Sequence, residues 1–420
     1  MDSYKKIIGL MERHESWRSS CLNMIASENV TSNAVRMGVA SDFGHRYAEG
    51  LLGGCDDGRK LFNRFYQGTA VFDEVEGMAM SMAEKMFDAE HANMVPISGA
   101  LANLTAYYAL AKIGDKISGL NIECGGHISH THVSAAGVMG LKDVAYPFDI
   151  EEMNIDVDEA KKMVLREKPK IMIFGASVFL FPHPLKEMRE AADEIGAVMM
   201  YDAAHVAGLI AGGKFQKPFK EGADVMTSST HKSFPGPQGG MILCKNKFAK
   251  KIDNAAFPGL MSNHHLHHVA GFVVALAEME KFGAEYASQI LKNAKALAQS
   301  MHELGFDVLC EHKGFTLSHQ VLVDISKNGG GRKVANDLEA ANIILNKNML
   351  PRDSLDKTGD PSGIRIGVQE LTHVGMKESE MKEVAQLIKR VVLGGESPGK
   401  VKRDVGELKS GFSKVCYCFD

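Results

Sequence analysis

The segment Val225-Met-Thr-Ser-Ser-Thr-His-Lys232-Ser-Phe-Pro-Gly-Pro-Gln-Gly-Gly240 carries the densest chemistry in the chain. Lys232 follows hydroxyl residues at the end of a short apolar run, and a Gly/Pro-rich turn follows the lysine. An amine at the end of a rigid strand, with hydroxyls beside it and backbone that admits a phosphate, is what an imine to pyridoxal 5'-phosphate (PLP) requires. Upstream, Val198-Met-Met-Tyr-Asp202-Ala-Ala-His205 reads as a second buried strand, ending in a carboxylate. An aspartate there pairs with the pyridinium nitrogen and keeps it protonated, which makes the ring an electron sink. Either half alone is a weak signal, because lysines commonly end strands; the ordered pair is far more specific.

Other positions admit two readings. Ser98-Gly99-Ala100 stands between a predicted strand and a predicted helix. It reads as a phosphate cradle at a helix N-terminus or as a simple N-cap. His127, in Cys124-Gly-Gly-His-Ile-Ser-His130-Thr-His132, reads as an imidazole stacked on the cofactor ring or as a structural histidine. A zinc site is not indicated, since no cysteine or clearly placed carboxylate completes a ligand set. Arg365 alternates with Ile364 and Ile366 in Ser362-Gly-Ile-Arg-Ile-Gly367. A cation in such a strand needs a partner; a substrate carboxylate and a structural salt bridge both qualify. Glu49, in His45-Arg-Tyr47-Ala-Glu49-Gly, is a candidate acid/base or an exposed loop carboxylate.

Two motifs mislead. Gly208-Leu-Ile-Ala-Gly-Gly213-Lys214-Phe215 has P-loop spacing, but Phe215 cannot hold magnesium as the required Ser/Thr does. His264-His-Leu-His267-His268 could place two rings on one helix face, but it lacks a clear third ligand.

The elements around these residues alternate. From residue 72 helical and extended patterns follow one another, with strands predicted at 115–120, 170–174, 197–201, 225–228 and 240–244. Alternation implies crossover units and a mainly parallel sheet, and short wholly apolar runs fit burial on both faces. Residues 1–40 read as an N-terminal arm and 41–71 as loop-rich; 41–275 form a large PLP-binding domain and 276–420 a smaller α/β domain. Helices are expected over 272–304, 333–342 and 376–392, with a charged segment, 393–420, wrapping the surface.

A formal charge of -4 over 420 residues gives no electrostatic reason to expect nucleic acid or an anionic membrane as partner. Seven cysteines with no C-x-x-C spacing favour neither a zinc ribbon nor a disulfide scaffold, and suit a reducing cytoplasm. The opening residues lack the long apolar region of a signal peptide, and no run is long and apolar enough to span a bilayer.

Assembled, these residues resemble the serine hydroxymethyltransferase family, in its archaeal-type branch. The resemblance covers residues 20–392 and rests on Ile25-Ala-Ser-Glu28-Asn, Arg46-Tyr47-Ala-Glu49-Gly, Ser98-Gly-Ala-Leu-Ala-Asn103, Gly125-Gly-His127, Asp202-Ala-Ala-His205, Thr230-His-Lys232, Phe257-Pro-Gly259, Asn346-Lys-Asn348 and Ile364-Arg-Ile-Gly367. It implies a PLP-dependent transferase of fold type I, with a mainly parallel seven-stranded sheet in the large domain. It also implies a homodimer with shared active sites. Serine and a tetrahydropterin (tetrahydrofolate or tetrahydromethanopterin) would become glycine and the methylene-tetrahydropterin by Cα–Cβ cleavage.

By resemblance, Lys232 bears the cofactor, Asp202 pairs with its ring nitrogen and His127 stacks on the ring. Ser98 and Gly99 hold the phosphate, Ser177 lies near the phenolic side, and His205, Thr230 and His231 line the cofactor. Arg365 and Ser27 take the substrate carboxylate, while Tyr47, Glu49 and Tyr66 act at its hydroxyl, with Glu49 moving the proton. Ser262 and Asn263 lie near the partner's cofactor phosphate.

Three features depart from the family pattern. Leu51–Phe65 intervenes before Tyr66, Gln238 stands where most bacterial members have arginine, and Ser262-Asn263 replaces a Gly-Gly pair. With Gly367-Val-Gln-Glu-Leu-Thr372 in place of Gly-Thr-Pro-Ala, they keep an alternative open: a pterin-independent threonine transaldolase or β-hydroxy-amino-acid aldolase of the same fold.

Overall fold

A computed structural model describes residues 2–57 and 59–420. The chain forms two compact units: Asn29–Ser288 with Tyr417–Asp420, and the residues up to Glu28 with Gln289–Cys416.

The first unit is built on a seven-stranded sheet. In spatial order its strands are His91–Asn93, Gly240–Cys244, Val225–Ser229, Val198–Asp202, Ile171–Phe174, Lys116–Gly119 and Lys142–Ala145. Only Gly240–Cys244 runs antiparallel to its neighbours. The central strands are buried at every residue, which is why they read as continuous apolar runs rather than alternating ones. Helix Gly99–Leu110 packs on the sheet through Ala102, Ala106 and Tyr107. The edge strand Lys142–Ala145 escapes sequence reading: Lys-Asp-Val-Ala has no apolar run, and main-chain pairing with Lys116–Gly119 defines it.

The glycine-rich stretch after Glu49 is more ordered than its composition predicts. Gly50–Asp56 and Arg59–Arg64 pair as an antiparallel hairpin. The overlooked signal is Asp57-Gly58 between Leu51-Leu52 and Leu61-Phe62, a turn dipeptide between two apolar pairs. Gly50 is required at the base of the hairpin, where a Cβ would fall 2.2 Å from the Asn63 carbonyl oxygen.

The second unit holds a four-stranded antiparallel sheet, ordered Asp307–Val308, Gln320–Asp324, Gly363–Gly367 and Asn346–Asn348. Helices Gly331–Ala340 and Glu378–Val392 belong to it. Strand Leu22–Asn23 pairs in parallel with Ile343–Ile344, which draws the first 28 residues into this unit. Within the tail predicted to wrap the surface, Pro398–Ser410 is a helix whose Val401 and Val405 are buried. Proline at the first helical position and apolar residues four apart are its sequence signals. One 38-residue helix, Leu266–Glu303, contributes to both units. Among the described residues no helix is long and apolar enough to cross a membrane.

Candidate active site

Asp202 ends the strand Val198–Asp202, and its register partner on the next strand is Thr227, five residues before Lys232. Ligands of parallel sheets sit at such carboxyl ends. Asp202 is buried, and its Oδ2 accepts from Asn103 Nδ2 at 2.8 Å and lies 2.9 Å from His130 Nε2. Its Oδ1 accepts from the Ala204 amide at 3.0 Å. Burial pushes the carboxyl pKa up, but the hydrogen bond and charge of His130, with His127 and Asn103, outweigh it and hold the group well below the usual carboxylate range. Asp202 is therefore an anion at the floor of the site.

Asn103 is the hub of this floor. Its Nδ2 also donates to Ser129 Oγ at 2.8 Å, and its Oδ1 accepts from Thr227 Oγ1 at 2.6 Å. Asn103, Ser129, His130 and Thr227 all lie within the motifs above, but their part in this floor comes only with folding, through contacts between residues 26 to 124 apart. His127 caps a short helical turn, with its Nδ1 accepting from the Ser129 amide at 3.2 Å and lying 2.6 Å from Ser129 Oγ. That fixes its ring beside Asp202's partner His130, with centroids 5.8 Å apart. His127, His130 and Asp202 offer ligand atoms within 4.8 Å of one another. The His130–Asp202 hydrogen bond occupies two of those atoms, which suits a polar ring partner better than a cation.

Lys232 follows strand Val225–Ser229, and its backbone carbonyl accepts from Asn29 Nδ2 at 2.7 Å. Thr230 is buried and spends its hydroxyl on the Pro237 carbonyl at 2.6 Å, closing the loop after the lysine. The neighbouring His231 is driven down to about 4 by burial, with Lys232 adding to the effect, so it is neutral at physiological pH. His205 is buried in the turn between Asp202 and helix Ala207–Ala211. Ser177 donates its amide to the Gly125 carbonyl at 2.7 Å, beside the loop that carries His127.

Ser98 caps helix Gly99–Leu110, accepting from the Leu101 amide at 3.2 Å. Gly99 packs closely on the neighbouring strand, where a Cβ would lie 3.2 Å from the Ser229 amide nitrogen. The buried Ser229 hydroxyl has no protein partner, although it lies at this helix N-terminus. An unsatisfied hydroxyl beside free amides is a donor set for an anion. These residues fit PLP: a buried anion for the ring nitrogen, an amine, a fixed imidazole and a phosphate cradle.

Tyr47, Glu49 and Tyr66 form a separate group in the same unit. The two tyrosine rings are exposed and 5.5 Å apart. Glu49 accepts from Ser262 Oγ. Asn263 reaches the same segment, donating to the Arg46 carbonyl at 2.9 Å and accepting from the Ala48 amide at 3.2 Å. Ser262 and Asn263, expected near a partner's phosphate, thus grip the Tyr47–Glu49 segment of their own chain.

In the other unit, Arg365 is buried on strand Gly363–Gly367 and donates through Nε to Asn346 Oδ1 at 3.2 Å. Burial lowers its pKa to about 10, so it keeps its charge. Ser27 lies in a segment held by Gln369 Nε2, which donates to the Ile25 and Glu28 carbonyls at 2.8 and 2.6 Å. Gly367 lets this segment approach, since a Cβ there would sit 2.5 Å from Ala26 Cα. Within this unit Ser27 and Arg365 therefore stand on adjoining elements.

Similarity to known proteins points to one family. The family model for serine hydroxymethyltransferase matches residues 1–388. A serine hydroxymethyltransferase of Methanothermobacter thermautotrophicus is 54% identical over 419 residues, covering 100% of this chain and 96% of the relative. One from Archaeoglobus fulgidus is 52% identical over 414 residues, covering 99% and 92%. Among solved structures, L-threonine transaldolase from Pseudomonas fluorescens, in its internal aldimine state, superposes with a TM-score of 0.90 at 30% identity, covering 100% and 96%.

Proposed function

The chain belongs to the serine hydroxymethyltransferase family, and from that premise we propose how its residues divide the work of moving the hydroxymethyl carbon of serine to a tetrahydropterin, leaving glycine. The observation that carries this reading is the buried, ionised Asp202 at the strand end beside the one that leads to Lys232. When bound, PLP supplies an aldehyde for amines and a protonated ring that accepts the electron pair of the breaking Cα–Cβ bond.

Lys232 would hold that aldehyde, and Asp202 would keep the ring nitrogen's proton in place. His127 would lie against the ring, and His205, Thr230, His231 and Ser177 would line it. Ser98, the Gly99 amide and Ser229 would hold the phosphate. The neutral state of His231 avoids a second positive charge next to the Lys232 amine. Arg365 and Ser27 bind the substrate carboxylate; a guanidinium that keeps its charge while buried is suited to a carboxylate. Glu49 holds or moves the proton on the substrate's β-hydroxyl, with Tyr47 and Tyr66 orienting that hydroxyl. The exposed Tyr47 and Tyr66 rings favour a site completed with a second copy of the chain. Seven free thiols favour a reducing compartment, the cytoplasm.

Full-length identity of 52–54% to hydroxymethyltransferases, against 30% to the transaldolase, favours the pterin-dependent reaction over aldehyde exchange. Titrating the PLP-loaded enzyme with glycine, with and without tetrahydrofolate or tetrahydromethanopterin, tests it. A visible absorbance band of the glycine complex that grows with one pterin identifies the acceptor. A band indifferent to both would overturn the hydroxymethyl reading and favour the transaldolase.

A further inference from the structure

Residues 46–49 lie outside any helix or strand apart from the short turn that ends at His45, yet their backbone is tied at consecutive points. The side chain of Arg64, the last residue of the hairpin, is only 4% exposed. Its guanidinium has three arms. Nε reaches Asp73 Oδ1 at 2.7 Å, Nη2 reaches Glu76 Oε2 at 2.8 Å, and Nη1 donates to the Ala48 carbonyl at 2.6 Å. The two carboxylates already offset the buried charge, so the third arm does something else: it holds a peptide.

Asn263 closes on the same run from the other side. Its amide takes the Arg46 carbonyl and the Ala48 N–H. The adjoining His264 meets Glu76 Oε2 at 3.1 Å, which ties Asn263's own segment to the carboxylate that seats Arg64. The Phe65 amide donates to the Glu49 carbonyl at 3.0 Å. These groups belong to four successive peptide planes: 46–47, 47–48, 48–49 and 49–50. The backbone has only two soft dihedrals per residue, so fixing the planes on both sides of Tyr47, Ala48 and Glu49 fixes all three residues.

We propose that Arg64 and Asn263 are positioning residues that aim Tyr47 and Glu49, and that the hairpin anchors this segment rather than roofing a substrate channel. The cavity beneath the hairpin, lined by Leu52, Phe62, Glu76 and Asn93, measures about 20 Å³, room for one water. Lys60 at 2.7 Å from Glu84 pins the hairpin's second strand to helix Ala70–Phe87. The proposal rests on the reading that Glu49 acts at the substrate's β-hydroxyl.

The test uses PLP-loaded Arg64→Lys and Asn263→Ala, each alone and combined with Glu49→Gln. Cleavage of serine and of threonine to an aldehyde requires removal of the β-hydroxyl proton; exchange of a glycine α-proton with deuterated water does not. Misaiming a reactive group by about 1 Å costs up to about a hundredfold, so each variant lowers kcat for cleavage at least about tenfold while glycine exchange stays within about twofold. In the Glu49→Gln background either substitution costs at least about threefold less than it does alone, because only Tyr47 remains to be aimed. Equal losses of cleavage and exchange, or full additivity with Glu49→Gln, would overturn the proposal. Should Arg64→Lys fail to fold, Asn263→Ala, which disturbs no buried charge, decides alone. Wild type that cleaves threonine but not serine would overturn the hydroxymethyl reading, while the variant ratios on threonine would still decide the positioning roles.

Discussion

Asp202 and the Tyr47–Glu49 run obtain their rigidity by opposite routes. Asp202 ends a strand buried at every residue, so its backbone is fixed before any side chain is considered. The Asn103–Thr227–His130 contacts then tune its charge rather than its place. The Tyr47–Glu49 run has no ladder of its own. It borrows position from Arg64 and Asn263, side chains 16 and 215 residues from Ala48 that grip its backbone. A change in the first region should therefore act on electrostatics, and a change in the second on geometry and local stability.

The largest expected effect tests the first half of that contrast. Asp202→Asn keeps shape and removes the anion. Removing one preorganised group that stabilises charge developing in the transition state costs about 3–4 kcal/mol, which at about 1.4 kcal/mol per factor of ten lowers kcat by about a hundredfold to a thousandfold. Serine cleavage measured on PLP-saturated protein checks it, with thermal unfolding alongside. A loss below about tenfold would mean that the sheet supplies position and the charge is incidental.

Glu76 tests the second half by pH. Burial pushes its carboxyl up, but the charge and hydrogen bond of His264, and then of Arg64, outweigh this and bring it down from 4.5 to about 2. Because the folded value is the lower one, its stabilisation is complete above about pH 4.5 and is lost as pH falls towards about 2. The amount at stake is on the order of 3 kcal/mol. Denaturant unfolding at pH 6 and pH 3 should show a larger drop for wild type than for Glu76→Gln, which starts lower and has this contribution removed. Equal drops would mean that Arg64 is seated by Asp73 alone.

This contrast also decides what the sequence discloses. Lys232, Asp202 and Ser98 stand at the junctions of strongly patterned elements, and apolar runs with turn residues mark such junctions. Asn103 and His130 complete the floor through tertiary contact, which no local spacing announces. The hairpin was obscured because its strands alternate weakly and most of Gly50–Asp56 faces outward. The grip of Asn263 on Ala48 joins residues 215 apart, so its Asn looks like any polar loop residue until the chain is folded.

Ser98 gives the smallest effect and the finest discrimination, because the sequence allowed two readings of it and the structure is compatible with both at once. Its hydroxyl oxygen accepts the Leu101 amide through a lone pair, which leaves the hydroxyl proton to donate elsewhere. A residue that only caps loses about 1 kcal/mol of stability on truncation, with or without cofactor. A residue that also donates to the phosphate loses a charge-assisted hydrogen bond in the loaded enzyme, about tenfold or more in PLP affinity. Asp156 is the control: it caps helix Val157–Glu167, accepting from the Glu159 amide at 3.1 Å, and has no proposed cofactor role. Ser98→Ala and Asp156→Ala should destabilise cofactor-free protein by similar amounts, measured by denaturant unfolding. Only Ser98→Ala should weaken PLP binding, measured by fluorescence titration. Parallel behaviour of the two variants in both assays would reduce Ser98 to its cap and leave the phosphate to Ser229 and the helix amides.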